Sequence, residues 1–178
     1  NTGESKSSEE YVEEKISLPP GFRILNPSKK SIDPDISACI RYLRSRGLSA
    51  SDISRFRIGA VSRGKFRRRV IVPSFDLSGD LNYFCSRSID KESTLKYINS
   101  KASKREVIFN EIDIDWSEPV TIVEGPFDMF KSCENTTCLL GSALTEDYLL
   151  FKRLVANKSE VYLAFDSDAR EKANKVGR

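Results

Sequence analysis

The sequence predicts an α/β protein in which a parallel sheet follows a basic part of α+β character. Three short apolar stretches in the last third of the chain carry this prediction, and they are residues 120–123, 137–140 and 161–165. Two helical segments separate them, at residues 127–133 and 146–157. Buried strands that alternate with helices are typical of a parallel βαβαβ sheet with helices on its faces.

The remaining elements precede this sheet. Residues 1–30 are predicted to form a linker or tail, because glutamate and serine dominate their first part and Pro19-Pro20-Gly21 follows. Two helices are expected next, one from Asp35 to Gly47 and one over residues 49–56 with a capping box. Residues 70–73 and 81–85 favour a hairpin. A basic subdomain is thus expected over 31–118 and the parallel-sheet subdomain over 119–178, with a final helix from Ala169.

Composition excludes several classes of protein. The chain has 178 residues, 39% of them hydrophobic and 31% charged, which is enough for a folded core. No apolar run approaches the roughly 20 residues of a membrane helix, so a soluble protein without membrane contact is expected. The absence of histidine removes Ser-His-Asp and Cys-His catalysis. Four scattered cysteines without a paired motif predict reduced cytosolic thiols and no zinc site.

Positive charge is concentrated between Arg41 and Arg69. This stretch holds nine arginines and Lys65 against one acid, Asp52, although the whole chain carries only +3. Runs of charge are usually solvated surface. A run made almost entirely of arginine favours contacts with phosphate groups.

Carboxylates follow two of the predicted parallel strands. Glu124 comes directly after the first, with Asp128 in the next turn, and Asp166 and Asp168 follow the third. Gly125 suits a close turn after a strand. Parallel strands end at the same edge of a sheet, so these side chains are expected to converge and to bind Mg²⁺ or Mn²⁺. The alternative is that each carboxylate merely caps the helix that follows it.

Several motifs resemble the catalytic core of DnaG-type primases, whose active site has the TOPRIM fold. The motif Glu124-Gly125-x-x-Asp128 and the Asp166-x-Asp168 pair resemble the two TOPRIM signatures. Residues 140–145 resemble an element between those signatures in primases. Upstream, the collinear matches selective for primases are residues 42–48, 56–59, 66–73 and, most closely, the Lys-Tyr-x-Asn-Ser motif at residues 96–100.

The resemblance implies a set of site residues. Glu124, Asp166 and Asp168 would hold divalent metal ions and carry catalysis, with Asp128 as a supporting carboxylate. The residues implied to handle nucleoside triphosphate and template are Arg67, Arg69, Arg87, Lys96, Tyr97, Asn99 and Lys104. Cys85-Ser86 and Glu171 stand where the family has glycines.

The implied activity is synthesis of short RNA primers on single-stranded DNA by a metal-dependent nucleotidyltransferase. Ribonucleoside triphosphates and a replicative helicase are the implied partners, and the cytoplasm of a bacterial or phage-infected cell is the implied location. The zinc-binding module of complete primases has no counterpart here, so an excised core is expected, with the Glu-Gly-Pro-Phe-Asp form favouring a phage. The alternatives are a fragment of a TOPRIM nuclease or topoisomerase, and a non-catalytic DNA-binding scaffold of the replication machinery.

Overall fold

A computed structural model describes residues 15–29, 31–141 and 144–165 of the chain. They form a five-stranded antiparallel sheet and a three-stranded parallel sheet, together with three α-helices. The helices are α1 Pro34–Ser45, α2 Ala50–Arg55 and α3 Leu149–Asn157. The strands are β1 Arg23–Ile24, β2 Gly59–Ala60, β3 Arg69–Phe75, β4 Leu81–Ser88, β5 Tyr97–Asn99, β6 Val120–Val123, β7 Thr136–Cys138 and β8 Val161–Ala164. The α/β prediction is confirmed.

The antiparallel sheet has the order β1-β2-β3-β4-β5. The predicted hairpin is present as β3 and β4, and it is longer than expected because pairing runs from Arg69 opposite Ser88 to Phe75 opposite Leu81. Among the residues that the structure describes, β5 is a three-residue edge strand that pairs with β4 alone. Although residues 1–30 are predicted as a linker, β1 lies among them and the Leu25 side chain is buried.

The parallel sheet has the order β7-β6-β8, so the first of its strands in sequence lies in the middle. Val123 is opposite Cys138 on one side and Ala164 on the other. All three strands therefore reach their carboxyl ends at one edge. Glu124 is the first residue beyond the central strand at that edge.

Local capping determines where the first two helices begin. The carboxylate of Asp33 accepts hydrogen bonds from the backbone N–H groups of Asp35 and Ile36 at the start of α1. Ser49 and Asp52 form the predicted capping box of α2. Both starts could be predicted because a cap depends only on neighbouring residues.

The two helices predicted between the parallel strands were wrong in extent. Residues 127–133 contain only a 3₁₀ turn, Met129–Lys131, because the backbone becomes extended at Ser132 (φ −92°, ψ −178°). The later helix begins at Leu149 rather than 146. Its first amide donates to the Arg105 carbonyl oxygen at 2.7 Å, and Arg105 also pairs with Asp147, so a distant loop holds the preceding residues outside the helix.

The core is continuous between the two sheets. One buried cluster contains Leu43 of α1 and Tyr83 of β4 together with Val123 and Phe127 from the parallel-sheet side. A second cluster packs α3 against β6 through Ile122, Leu150 and Leu154. No helix within the described ranges is long and apolar enough to cross a membrane. The predicted helix from Ala169 lies outside the described residues.

Candidate active site

A cleft of about 210 Å³ lies between the antiparallel sheet and the carboxyl edge of the parallel sheet. β5 provides one wall with Tyr97 and Asn99, and the turn after β6 provides the other. The lining residues are Cys85, Tyr97, Asn99, Glu124, Gly125, Pro126, Phe127, Asp128, Leu139, Leu140 and Gly141. The fold thus brings the predicted carboxylates 124 and 128 to the same cleft as two residues of the Lys-Tyr-x-Asn-Ser motif.

The acidic wall is built by the turn that follows β6. Glu124 is half-buried and Asp128 is exposed, and both line the cleft. The Gly125 N–H donates to Asp128 Oδ2 at 3.0 Å, which closes the turn. A β-carbon at residue 125 would lie 3.4 Å from that oxygen, which is ordinary van der Waals contact.

The donor set of this wall fits a hard divalent cation. Carboxylate oxygens are the ligands that Mg²⁺ and Mn²⁺ prefer, and two carboxylates line the cleft. Within the described ranges, no three acidic or thiol side chains form a metal-binding group. Asp166 and Asp168 lie outside the described residues.

Arg87 of β4 packs against the rings of two residues that line the cleft, Tyr97 and Phe127. The guanidinium carbon of Arg87 lies 5.2 Å from the ring centroids of both Tyr97 and Phe127. Its Nη1 donates to the Tyr97 hydroxyl at 2.6 Å. Cation–π attraction to the two rings helps to hold the Arg87 guanidinium in this position. The sequence argument missed Phe127, although its position inside the Glu-Gly-x-x-Asp motif was a signal for it.

Aromatic contacts continue from the cleft into the body of the protein. The Phe127 ring lies 5.4 Å from Phe130, which lies 4.9 Å from Phe56 at the end of α2. Tyr97 lies 6.3 Å from Phe127. This row joins the turn bearing Glu124 to both β5 and α2. The position of the acidic wall therefore depends on packing against the antiparallel sheet.

Comparisons with known proteins agree with this architecture. No family model matches the chain. The chain is 32% identical over 113 residues to the DNA primase of Mycoplasma pneumoniae, covering 58% of this chain and 18% of that protein. It is 26% identical to the Listeria innocua DNA primase over an alignment of 188 residues, covering 79% and 30% respectively. The chain thus spans less than a third of the length of these curated relatives.

Solved structures extend the likeness to the fold. A DnaG catalytic core matches with a TM-score of 0.65 at 24% identity, covering 80% of this chain and 60% of the other. The E. coli primase catalytic core matches with a TM-score of 0.62 at 23% identity, covering 79% and 59%. The chain has the fold of a DnaG-type primase catalytic core. A DnaG primase catalytic domain bound to single-stranded DNA also matches, with a TM-score of 0.65 at 24% identity, covering 81% and 60%.

Two of the arginines expected to bind phosphate in this DnaG-type core make contacts within the protein. Arg67 Nε donates to Asp35 Oδ2, while more than half of the Arg67 side chain remains exposed. Arg69 is only 6% exposed, and its guanidinium donates to the backbone carbonyl oxygens of Leu95 and Lys96. Their predicted role in binding nucleotide or template stays a prediction.

The other basic residues of the predicted set lie around the cleft. Lys96 is exposed directly before β5, and Lys104 is exposed in the loop after it. Burial raises the pKa of the Cys85 thiol to about 12, while the positive charges of Arg87 and Lys104 act to lower that pKa. Both cations therefore lie close enough to Cys85, a residue that lines the cleft, to affect its pKa. Asn99 lines the cleft directly.

Asp35 makes the stability of the DnaG-type core depend on pH. The guanidinium groups of Arg67 and Arg68 hold the pKa of this carboxyl below its usual value. A lowered pKa stabilises the fold above the unfolded value of 3.8, and that contribution disappears as the pH falls through the folded-state pKa. Asp35→Asn should therefore lower the urea midpoint at pH 7, and its difference from the parent should shrink below about pH 4.

Urea unfolding followed by circular dichroism at pH 7, 5 and 3 measures this difference. Asp80→Asn is the control, since Asp80 is exposed in the turn between β3 and β4. It should leave the midpoint nearly unchanged at every pH. A difference between Asp35→Asn and the parent that grows as the pH falls would contradict the expectation.

Proposed function

We propose that this chain is the catalytic part of a primase that synthesises short RNA primers on single-stranded DNA. The observation that carries the proposal is that one small cleft joins a carboxylate-bearing sheet edge to two aromatic rings, Tyr97 and Phe127, against which Arg87 packs. Its fold is that of DnaG catalytic cores, and its matched relatives are named DNA primase.

Glu124, Asp166 and Asp168 are proposed to hold Mg²⁺ or Mn²⁺, with Asp128 in support. When bound, such an ion neutralises triphosphate charge and activates the attacking 3′-hydroxyl. The backbone of this chain contributes by placing Glu124 at the end of the central strand, where it is half-buried. Asp128 contributes by closing the turn on the Gly125 N–H, which limits the freedom of the loop that bears Glu124.

The basic wall is proposed to bind the nucleoside triphosphate and the template. Arg87 is oriented by the rings of Tyr97 and Phe127 and by its hydrogen bond to the Tyr97 hydroxyl, so its remaining N–H groups suit a phosphate oxygen. Lys96 and Lys104 supply further positive charge, and Asn99 supplies an amide in the cleft. Arg67 and Arg69 are also among the residues predicted to bind nucleotide or template, and the Arg67 side chain is the more exposed of the two.

The proposed partners follow from this activity. They are single-stranded DNA as template, ribonucleoside triphosphates as substrates and a replicative helicase, in the cytoplasm of a bacterial or phage-infected cell. A structure of a DnaG primase catalytic domain with single-stranded DNA supports the template. The positive charge of residues 41–69 also supports a polyanionic partner.

The proposal is tested by incorporation of labelled ribonucleotides on single-stranded DNA at high protein concentration, with Mg²⁺, with Mn²⁺ and with EDTA. Metal-dependent products of primer length that require the template would support it. DNA cleavage without synthesis would instead identify a TOPRIM nuclease. Binding of DNA with no chemistry in either metal would identify a scaffold, and both of these results would contradict the proposal.

Binding of template should be salt-dependent, and Lys96 should contribute to that dependence. Its side chain is exposed, and in the part of the chain that the structure describes it has no ion-pair partner. Each phosphate contact to single-stranded DNA adds about 0.7 to the slope of log K against log salt. Lys96→Gln should lower the slope by about that amount in fluorescence-anisotropy titrations. Lys158→Gln, at the C-terminal end of α3 and outside the cleft lining, should not. Equal slopes for the parent and Lys96→Gln would remove Lys96 from the template path.

A further inference from the structure

Consecutive arginines at the start of β3 hold the two ends of the loop that joins β4 to β5, residues 89–96. Arg68 holds the first end, because its Nε lies 2.9 Å from Asp90 Oδ2 and its Nη2 lies against Asp90 Oδ1. The Arg68 carbonyl oxygen also accepts the Ile89 N–H at 3.1 Å. Arg69, the next residue, holds the other end.

Arg69 uses its guanidinium to bind two successive backbone carbonyl groups. Nη2 donates to the Leu95 oxygen at 2.5 Å, and Nη1 donates to the Lys96 oxygen at 3.2 Å. The Lys96 oxygen also accepts the Ser88 N–H at 2.9 Å, so it is fixed from two directions. Arg69 lies opposite Ser88 of β4 in the sheet, and its side chain reaches past β4 to the residues just before β5.

The charge of Arg69 is buried without a carboxylate in contact. Only 6% of the residue is exposed, and among the described residues no acidic oxygen lies within 4.0 Å of its guanidinium. A buried cation costs several kcal/mol unless its N–H groups are bonded. The backbone carbonyls of residues 95 and 96 provide that bonding, so the burial of this charge and the position of the loop depend on each other.

The segment held in this way leads directly into the cleft. β5 has three residues and bonds to one neighbour, and its register places Tyr97 opposite Arg87. Short edge strands open easily, because few hydrogen bonds must break. An anchor on the two residues before Tyr97 keeps that ring at the face of Arg87 and keeps Lys96 beside the cleft.

We propose that Arg69 is a positioning residue that fixes the Lys96-Tyr97 segment at the cleft, and that it does not bind phosphate itself. The consequence for primer synthesis rests on the function proposed above. The anchoring itself does not rest on that function, because it is a property of the folded chain alone.

Hydrogen exchange measured by mass spectrometry or NMR tests the anchoring without any activity. Arg69→Met keeps an unbranched apolar stem and removes the donors, while Arg69→Lys keeps the charge but replaces the planar two-nitrogen fork with a single, shorter ammonium group. Amide exchange at Ser88 and across β5 should be at least about tenfold faster in Arg69→Met, and less accelerated in Arg69→Lys, with β6 unchanged. Arg41→Met, which removes an exposed arginine of α1, should leave all of these rates as in the parent.

Two further readouts separate positioning from direct contact. In primer synthesis, Arg69→Met should raise the KM for ribonucleotides about tenfold with a smaller change in kcat, and Arg69→Lys should recover part of that loss. For Arg69→Met, the slope of log K against log salt for binding of single-stranded DNA should equal that of the parent. If Arg69→Met is unfolded, the comparison is made with Arg69→Lys. Unchanged exchange at Ser88 and β5 would overturn the inference, and so would a slope lower by about 0.7 without faster exchange.

Discussion

Replacement of Glu124 by glutamine should lower metal-dependent primer synthesis by about 1,000-fold or more. The change removes the negative charge at the end of β6 while keeping the size of a half-buried side chain in the cleft. Loss of a metal contact to the reacting groups costs several kcal/mol, and each 1.4 kcal/mol is tenfold in rate. Steady-state incorporation of labelled ribonucleotide over a range of Mg²⁺ concentrations measures the effect.

Glu118→Gln is the matched control, because Glu118 is exposed near the opposite end of the same strand. It makes the same chemical change and should leave the rate within about twofold of the parent. Both variants should retain the parent circular dichroism spectrum and similar affinity for single-stranded DNA. A Glu124→Gln protein that keeps more than a tenth of the parent rate would exclude this residue from the metal site.

Truncation of Phe127 to alanine should lower both the free energy of unfolding and the activity. The side chain is 9% exposed, and it contacts the rings of Tyr97 and Phe130 and the guanidinium of Arg87. Removal of a buried phenylalanine ring costs about 3 kcal/mol or more. Because Phe127 sits three residues after Glu124 and against Arg87, its loss should also disturb both walls of the cleft. Activity should fall by about 100-fold, since small misplacements of reacting groups are that costly.

Phe66→Ala separates these two effects. Phe66 is similarly buried at 8% and has its own edge-to-face partner, Phe84, but no buried member of its core cluster lines the cleft. Its truncation should cost a similar free energy in urea unfolding. At a temperature where both variants are folded, Phe66→Ala should keep most of its rate and Phe127→Ala should not. Equal loss of rate in the two variants would mean that stability alone explains the effect.

The fold class and several element starts could be predicted because their causes are local. Residues 120–123 and 161–164 are apolar runs, and such runs identify strands without reference to the rest of the chain. The first run is buried as expected, but the second is mostly exposed in the described structure, because β8 pairs with β6 on one side only. The start of α2 follows from Ser49 and Asp52 in the same way. The helix predicted over residues 127–133 was wrong because the backbone leaves the helical conformation at Ser132, after a single 3₁₀ turn.

The functions of the individual arginines could not be predicted from the sequence. Composition shows that nine of them crowd residues 41–69, and that alone favours phosphate binding. Whether a guanidinium is available depends on acceptors that are far away in sequence. Arg67 meets Asp35, which is 32 residues upstream, and Arg69 meets the Leu95 carbonyl, which is 26 residues downstream.

The sequence by itself thus determined the class of fold, the acidic sheet edge with Glu124 and the resemblance to DnaG-type primases. These follow from hydrophobic periodicity and from short motifs, both of which are contained in neighbouring residues. The tertiary structure alone decided that Arg87 packs against both Tyr97 and Phe127 and that Arg69 is buried against backbone carbonyls. The physical reason is that packing and charge compensation are set by contacts between segments that only folding brings together.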